Sequence, residues 1–318
     1  MLSKTVFGPA GYPIRGPSGP EAMAYLAGEG LFAMEYQSVR SVRIGRTAAE
    51  ELGKAARENG IVLTMHGPYA ISLSSEDRKV ARASKDRLVK AAIACHSMGG
   101  FHLTFHAGFY GRRTKQETFE LQLKSLREVI DVLKSQDVHI ELGPETTGKE
   151  SQFGSLDELL ELSSRLHEVR PTVDFAHIHV RSETGRLNDS DDFLDILNKI
   201  ENKLGSARMN ALVLHFTEVQ PTASGFGERR HWPLGSKYGP RFECLADAMA
   251  EAGFSMVVIC ESPLLDEDAL KMKNIFEKRL SSSRGQGEQG LGISGGHQAM
   301  SRGTGSPERG LSDPSPTV

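Results

Sequence analysis

Several short apolar runs in this chain end in a side chain that can bind a metal ion. The run "IVLTMH" ends at His66, and "FHLTFH" ends at His106. Donors also follow later runs, at Glu145, Asp174, His177, His215 and Glu261. One histidine in such a place is most often a hydrogen-bonded structural residue. Their recurrence along the chain indicates a shared site.

The chemistry of these donors favours a site with more than one metal ion. Neutral imidazoles mixed with carboxylates suit zinc or manganese, and their number exceeds what one tetrahedral ion requires. A thiolate site is not expected, because Cys95, Cys244 and Cys260 are far apart and form no CxxC pair. We therefore predict two or three Zn²⁺ ions per chain, with Mn²⁺ as the alternative metal.

The segment "FGERRHWPLG" adds a basic pair beside two further donors, Glu228 and His231. Taken alone, it could be a solvated basic turn. Beside a metal site, Arg229 and Arg230 could bind phosphate oxygens in a bidentate manner. This segment is the best local indication of a phosphate-containing substrate.

The alternation of apolar runs and amphipathic segments predicts the elements that gather these donors. The strand candidates are "KTVFG", "FAMEYQSV", "IVLTMH", "FHLTFH", "VHIELG", "RPTVDFAHIHV", "NALVLHFTE" and "SMVVICES". Helical patterns lie between them, one of which begins with the capping box Ser155 to Glu158. Eight such units predict an α/β fold, a (β/α)₈ TIM barrel over residues 1–280, with a doubly wound open sheet as the alternative. A barrel would bring the strand ends, and so the donors, to one mouth.

Composition limits the surroundings and the partners of this barrel. From residue 281 to 318 the chain is rich in Gly, Ser and Pro, which predicts a disordered C-terminal tail, with a partner-binding tail as the alternative. The net charge of −3 gives no basic field, so DNA binding would depend on local arginines or bound cations. No apolar run approaches the roughly 20 residues of a membrane span, and no secretory pattern opens the chain. We expect a cytoplasmic monomer that does not contact membranes.

Seven stretches together resemble one known family. They are "HGPYAISL", "FHAGFY", "PETTGK", "VDFAHIH", "LHFTE", "ERRHWPLG" and "ICESP", spread over residues 60–265. In this order they resemble the endonuclease IV group of apurinic/apyrimidinic endonucleases, and more closely its divergent archaeal-type branch. The resemblance implies a (β/α)₈ fold and a trinuclear zinc site. It also implies hydrolysis of the phosphodiester 5′ to an abasic site in double-stranded DNA, during base excision repair.

The same resemblance implies a role for each matching donor. It assigns a first ion to His66, His106 and Glu145, a second to Glu145, Asp174, His215 and Glu261, and a third to His177 and His231. Glu145 and Glu261 would be the catalytic carboxylates, which hold the ions and orient the attacking nucleophile. Tyr69 matches an aromatic side chain that enters the DNA at the lesion, although a hydrogen-bonded tyrosine at the rim is an equal alternative.

The chain departs from the family at the third ion. The family usually has an aspartate two residues before the histidine that matches His231, and this chain has Arg229 there. Glu228 could replace the aspartate through its longer side chain, or the third ion could be weak or absent. His179 is a spare donor that we interpret first as structural. Glu35 is expected to be a further rim carboxylate outside the motif.

Two other functions remain open from the sequence. A xylose-isomerase-like sugar isomerase or epimerase would use the same barrel with one or two Mn²⁺ or Mg²⁺ ions. A barrel that binds DNA without turnover is the other alternative. The number of histidines and the "ERRH" segment favour the nuclease, because a neutral sugar gives no reason for adjacent arginines at the rim.

Overall fold

The computed structural model describes residues 2–181 and 186–289. Its strands are β1 (Val6–Pro9), β2 (Ala33–Gln37), β3 (Val62–His66), β4 (His102–Phe105), β5 (Glu141–Pro144), β6 (Val173–Asp174), β7 (Val213–Phe216), β8 (Glu218–Pro221), β9 (Glu228–Trp232) and β10 (Val257–Cys260). Its helices are α1 (Glu21–Gly28), α2 (Arg46–Glu58), α3 (Arg78–Ser97), α4 (Lys115–Ser135), α5 (Leu156–Arg165), α6 (Phe175–Arg181), α7 (Ser190–Leu204), α8 (Phe242–Ala252) and α9 (Leu265–Gln289).

Eight of the strands form a closed parallel barrel. They lie in two four-stranded sheets, ordered β1-β10-β7-β6 and β2-β3-β4-β5. The sheets meet on one side where the Phe32 amide donates to the Phe7 carbonyl at 3.0 Å. On the other side, parallel bridges pair Leu142 with Val169 and Glu145 with Thr172. The (β/α)₈ prediction is confirmed, and the open-sheet alternative is wrong.

Local sequence explains how the helices begin and how the barrel closes. The predicted capping box is present, with Ser155 and Glu158 bonded reciprocally at the start of α5. At the seam, Gly8 lies so close to β2 that an added Cβ would be 1.6 Å from the Ala33 carbonyl oxygen. Only glycine permits this approach of β1 to β2. Apolar helix faces then cover the barrel, whose strand residues are mostly buried.

The structure corrects the sixth predicted strand. "RPTVDFAHIHV" is not one strand, because β6 ends at Asp174 and α6 begins at Phe175. The cause is local: Asp174 Oδ1 accepts from the His177 amide at 2.7 Å, as a capping side chain does at a helix start. His177 therefore lies in the first turn of a helix and does not close a strand. A second difference is the antiparallel hairpin β8–β9, inserted between β7 and α8.

The chain after the last barrel strand forms one long helix. Helix α9 packs Ala269, Met272 and Phe276 on the barrel and continues through Gln289, past the expected end near Leu280. The remainder of the predicted tail, residues 290–318, lies outside the described residues, so its disorder stays a prediction. In the two described ranges, no helix combines the length and apolar character needed to cross a bilayer.

Candidate metal centre

The structure brings all the predicted metal donors together at the carboxyl ends of the barrel strands. They fall into three groups, within each of which one ligand atom per residue lies within 4.8 Å of the others. The first group contains His66, His106 and Glu145; the central group contains Glu145, Asp174, His215 and Glu261; the third group contains His177, Glu228 and His231. Glu145 belongs to the first and central groups, so the two are directly joined.

Glu145 is fully buried, and its two oxygens face different partners. Oε2 lies 3.4 Å from His66 Nε2 and 3.2 Å from His106 Nε2. Oε1 lies 3.2 Å from His215 Nδ1. A carboxylate in this position has the geometry to bridge two cations, one in each group. The position follows from the sequence, because Glu145 is the first residue after β5.

Three of the histidines are oriented by backbone carbonyls through Nδ1. The pairs are His66 with Gly67 at 2.8 Å, His177 with Thr146 at 2.9 Å, and His231 with Glu261 at 3.1 Å. A neutral ring that donates through Nδ1 presents the lone pair of Nε2 on its other side. This arrangement is usual for histidines that bind metals, since the outer hydrogen bond fixes the tautomer and the ring orientation.

The third group depends on a β-bulge in the hairpin. Gln220 pairs with Arg230 and Pro221 pairs with Glu228, so Arg229 is an extra residue on β9. Side chains three positions apart on a regular strand point to opposite faces, but a bulge changes this alternation. Glu228 and His231 therefore share a face.

Glu228 contacts both histidines of its group. Its Oε2 lies 2.8 Å from His177 Nε2, and its Oε1 lies 3.1 Å from His231 Nε2. Glu228, and not Arg229, therefore lies among the donors of the third group.

Burial and neighbouring charges raise the pKa values of three of the donors, His66, His231 and Asp174. Burial lowers the pKa of His66, but the hydrogen bond and charge of Glu145 raise it to about 9. Burial likewise opposes protonation of His231, and Glu228 raises its pKa to about 9. Burial raises the pKa of Asp174 to about 7. The carboxylates thus draw protons onto the rings, and a divalent cation could take the place of those protons.

Three buried atoms in these groups are left without a hydrogen bond in the described part of the chain, His106 Nδ1, Asp174 Oδ2 and His231 Nε2. Asp174 Oδ2 is 3.5 Å from His177 Nδ1, whose hydrogen bond goes to the Thr146 carbonyl instead. His231 Nε2 is close to Glu228 Oε1, but the contact is poorly directed. Unsatisfied buried polar atoms are costly, and bound cations would satisfy Asp174 Oδ2 and His231 Nε2. The residues therefore fit divalent metal ions that accept imidazole and carboxylate ligands.

The predicted DNA-binding residues surround these groups. Tyr69 is 58% exposed, and its ring lies 5.5 Å from the ring of His66 and 5.4 Å from that of His106. Arg229 and Arg230 are exposed on β9. The Arg230 guanidinium stacks 5.2 Å from the ring of Trp232. Within the described ranges neither arginine forms an ion pair with a carboxylate, which leaves both available to an anionic ligand.

Glu35 departs from the sequence-based expectation, whereas His179 agrees with it. Glu35 is not at the rim; it is fully buried inside the barrel, and its Oε2 lies 3.1 Å from His215 Nε2. Its position two residues before the end of β2 was the signal for this depth. His179 accepts a hydrogen bond from the Leu187 amide through Nδ1 at 3.0 Å and belongs to none of the three groups, which agrees with a structural role.

Comparison with curated proteins gives relatives along most of the chain. An uncharacterised protein of Methanocaldococcus jannaschii is 32% identical over 273 residues, which are 86% of this chain and 97% of that protein. A probable endonuclease 4 of Mycoplasma genitalium is 28% identical over 172 residues, which are 53% of this chain and 56% of that protein. The resemblance to the endonuclease IV group is confirmed as a similarity of sequence.

Solved structures of different enzymes share the fold. A D-tagatose 3-epimerase-like protein superposes with a TM-score of 0.65 at 16% identity, covering 85% of this chain and 96% of its own. Endonuclease IV from Thermus thermophilus superposes with a TM-score of 0.62 at 19% identity, covering 86% and 99%. At such identities the likeness shows the fold alone. A family model described as a xylose isomerase-like TIM barrel matches residues 23–277, and the chain therefore belongs to the xylose isomerase-like TIM barrel family.

Proposed function

We propose that this protein is a metal-dependent apurinic/apyrimidinic endonuclease that hydrolyses the phosphodiester 5′ to an abasic site in double-stranded DNA. The observation that carries the proposal is the set of three donor groups, two of which share Glu145. A single catalytic ion would need only one of them. The similarity to a probable endonuclease 4 supports the same function. In this function the enzyme would act in base excision repair.

The side chains at the mouth suit phosphodiester hydrolysis. Zinc or manganese ions, when bound, would activate a water molecule and neutralise the charge on the phosphate and on the leaving oxygen. Glu145 would keep two cations close together, because it presents one oxygen to each group. Glu261, 3.4 Å from His215 Nδ1 through Oε1, would complete the central group and help orient the nucleophile. No protein nucleophile is required.

The rim suits a DNA lesion that lacks a base. An abasic sugar has no stacking or pairing energy, so its extrusion from the duplex costs little. Tyr69 would fill the gap that the sugar leaves, since its ring is exposed directly beside His66 and His106. Arg229 and Arg230 would bind backbone phosphates. These local charges matter because the whole chain carries a net charge of −3.

A sugar isomerase or epimerase is the second candidate, and one observation favours it. The central group alone supplies four donors, Glu145, Asp174, His215 and Glu261, which are sufficient for one Mn²⁺ or Mg²⁺ ion. This function leaves the first and third groups without a use. It also gives no reason for the exposed arginine pair. For these reasons we place it behind the nuclease.

Two assays on one preparation distinguish the candidates. The purified protein would be analysed for bound metals and then incubated with a duplex that contains a single abasic site, with the intact duplex as control. The proposal requires incision at the lesion that a chelator abolishes and zinc or manganese restores. A metal-loaded protein that leaves the abasic duplex intact, but interconverts ketose epimers, would replace the nuclease with the second candidate.

A further inference from the structure

Glu35 lies below the central donor group, inside the barrel, where its side chain has no access to solvent. Its carboxylate accepts hydrogen bonds on both oxygens. Oε2 accepts from Thr104 Oγ1 at 3.1 Å and from Thr64 Oγ1 at 3.3 Å, and Oε1 accepts from Gln37 Nε2 at 3.0 Å. These donors hold the carboxylate in one orientation. Its remaining partner is His215, whose Nε2 lies 3.1 Å from Oε2.

His215 therefore stands between a buried carboxylate and the donor group. Its Nε2 faces Glu35, while its Nδ1 lies 3.2 Å from Glu145 Oε1 and 3.4 Å from Glu261 Oε1. A neutral imidazole can bind a cation only through the nitrogen that carries no proton. For His215 to bind through Nδ1, the ring proton must be on Nε2, which is where Glu35 can accept it.

We propose that Glu35 is a positioning residue, which fixes His215 as the Nε2–H tautomer and so presents Nδ1 to the central group. This inference rests on the metal site of the proposed function. Glu35 is not itself a member of a donor group, because its oxygens are occupied by hydroxyl, amide and imidazole donors. Its effect on a bound ion therefore passes through His215.

The orienting contact of His215 differs in kind from those of His66, His177 and His231. Those three rings donate to backbone carbonyls, which no substitution removes. His215 is oriented by a side chain, and a carboxylate partner also makes the ring a more basic ligand. The central group is therefore the one whose orienting contact can be tested by replacing a residue that is not a ligand.

Zinc binding measures the proposal directly, without reference to DNA cleavage. Metal-stripped protein would be titrated with Zn²⁺ alone, in competition with a chromophoric chelator. We expect Glu35→Met, which removes both oxygens, to weaken zinc binding by about 10- to 100-fold. The site affected should be the one that His215→Ala also weakens. Glu35→Gln keeps one acceptor oxygen and should lose less. Thr64→Val, which leaves the contact between Glu35 and His215 in place, is the matched control and should bind zinc as the wild type does.

A double-mutant comparison separates positioning from general damage to the barrel. If Glu35 acts through His215, adding Glu35→Met to His215→Ala should cause no further loss of zinc affinity. Additive losses, or an unchanged affinity in Glu35→Met alone, would overturn the proposal.

A measurement on the wild type keeps the inference testable even if Glu35→Met does not fold. Nitrogen NMR of the zinc-loaded protein should show His215 with its proton on Nε2, whereas a proton on Nδ1 would refute the assignment. Failure of the proposed function is a separate result, namely a protein that binds zinc normally and does not incise abasic DNA. A wild-type protein that binds no zinc would overturn both the positioning role of Glu35 and the proposed function.

Discussion

Glu228 Oε1 lies 3.1 Å from His231 Nε2, although three positions separate these residues on one strand. The contact exists because the bulge at Arg229 shifts the register of β9 against β8. An aspartate two residues before the histidine, the pattern of the endonuclease IV group, would place both side chains on one face without a bulge. This chain reaches a similar arrangement with one more residue and a longer carboxylate.

The bulge predicts opposite behaviour for two adjacent residues. Glu228→Ala should lower the zinc content by about one equivalent, because His177 and His231 alone are too few ligands for a stable site. Arg229→Ala should leave the zinc content unchanged, weaken DNA binding and flatten its salt dependence. Metal analysis and DNA titrations at two salt concentrations measure both. Unchanged zinc in Glu228→Ala would favour a centre of two ions.

Replacement of the shared carboxylate should be the most damaging single change. Glu145→Gln keeps the shape of the side chain but removes the negative charge that faces both groups, so we expect a folded protein with reduced zinc content. Incision should fall by more than about 100-fold, since even indirect partners of metal ligands contribute 10- to 100-fold. Circular dichroism and a single-turnover incision assay provide the comparison. Incision close to the wild-type rate would argue against a multinuclear site.

The histidine pKa values predict how the metal-free protein responds to pH. His66 and His231 have a pKa of about 9 in the folded chain, against an ordinary value of 6.5. The folded state then binds more protons than the unfolded state, and the stabilisation is fully present below pH 6.5 and lost as the pH rises through 9. We expect the thermal midpoint of chelator-treated protein to decrease as the pH is raised from 7 to 9.

Bound zinc should counteract this loss of stability over the same pH interval. Zinc affinity rises as the histidines lose their protons, so the difference in midpoint between zinc-loaded and chelated protein should widen with pH. Thermal melts in matched buffers, with chelator or with zinc, test both statements. A chelated protein that becomes more stable toward pH 9 would contradict the assignment of protons to His66 and His231.

The aromatic ring at the rim should affect DNA and not metal. Tyr69→Ala removes an exposed ring beside His66 and His106, and should weaken binding to an abasic duplex by about 1 to 3 kcal/mol, the range for stacking of one base. Tyr69→Phe keeps the ring and serves as the matched control. Equal affinities for the Ala and Phe variants would instead favour a hydrogen-bonding tyrosine at the rim.

Removal of the C-terminal segment should leave the barrel intact. A chain that ends at Gln289 keeps all of α9, and the Gly, Ser and Pro content of the removed residues predicts no packed contact, so its thermal midpoint should equal that of the full chain. Phe276→Ala is the contrasting change. That ring lies 5.6 Å from Phe7 and is 7% exposed, so its loss should cost about 3 kcal/mol. A destabilised truncated chain would show that the segment docks on the barrel.

The sequence was sufficient for those parts of the site that depend on one geometric rule. His66 ends β3 and Glu145 follows β5, and parallel strands that close into a barrel must bring such positions together. The placement of His177 needed more, since the cap that Asp174 provides converts an apparent strand into a helix. The bulge at Arg229 was not predictable, because one extra residue leaves no periodic signal in so short a hairpin. The depth of Glu35 was also missed, because the run "FAMEYQSV" does not show that β2 continues two residues past Glu35, to Gln37.

The shared position of Glu145 has a mechanical consequence. His66 and Glu145 are carried by the sheet β2-β3-β4-β5, whereas Asp174, His215 and Glu261 are carried by the sheet β1-β10-β7-β6. A cation in the central group would be held from both halves of the barrel at once. It would cross-link the two sheets at this end of the barrel, as a disulfide links two distant segments of a chain. Loss of the cation would remove this link at the mouth, where the two sheets would remain joined by backbone pairs such as that of Glu145 with Thr172.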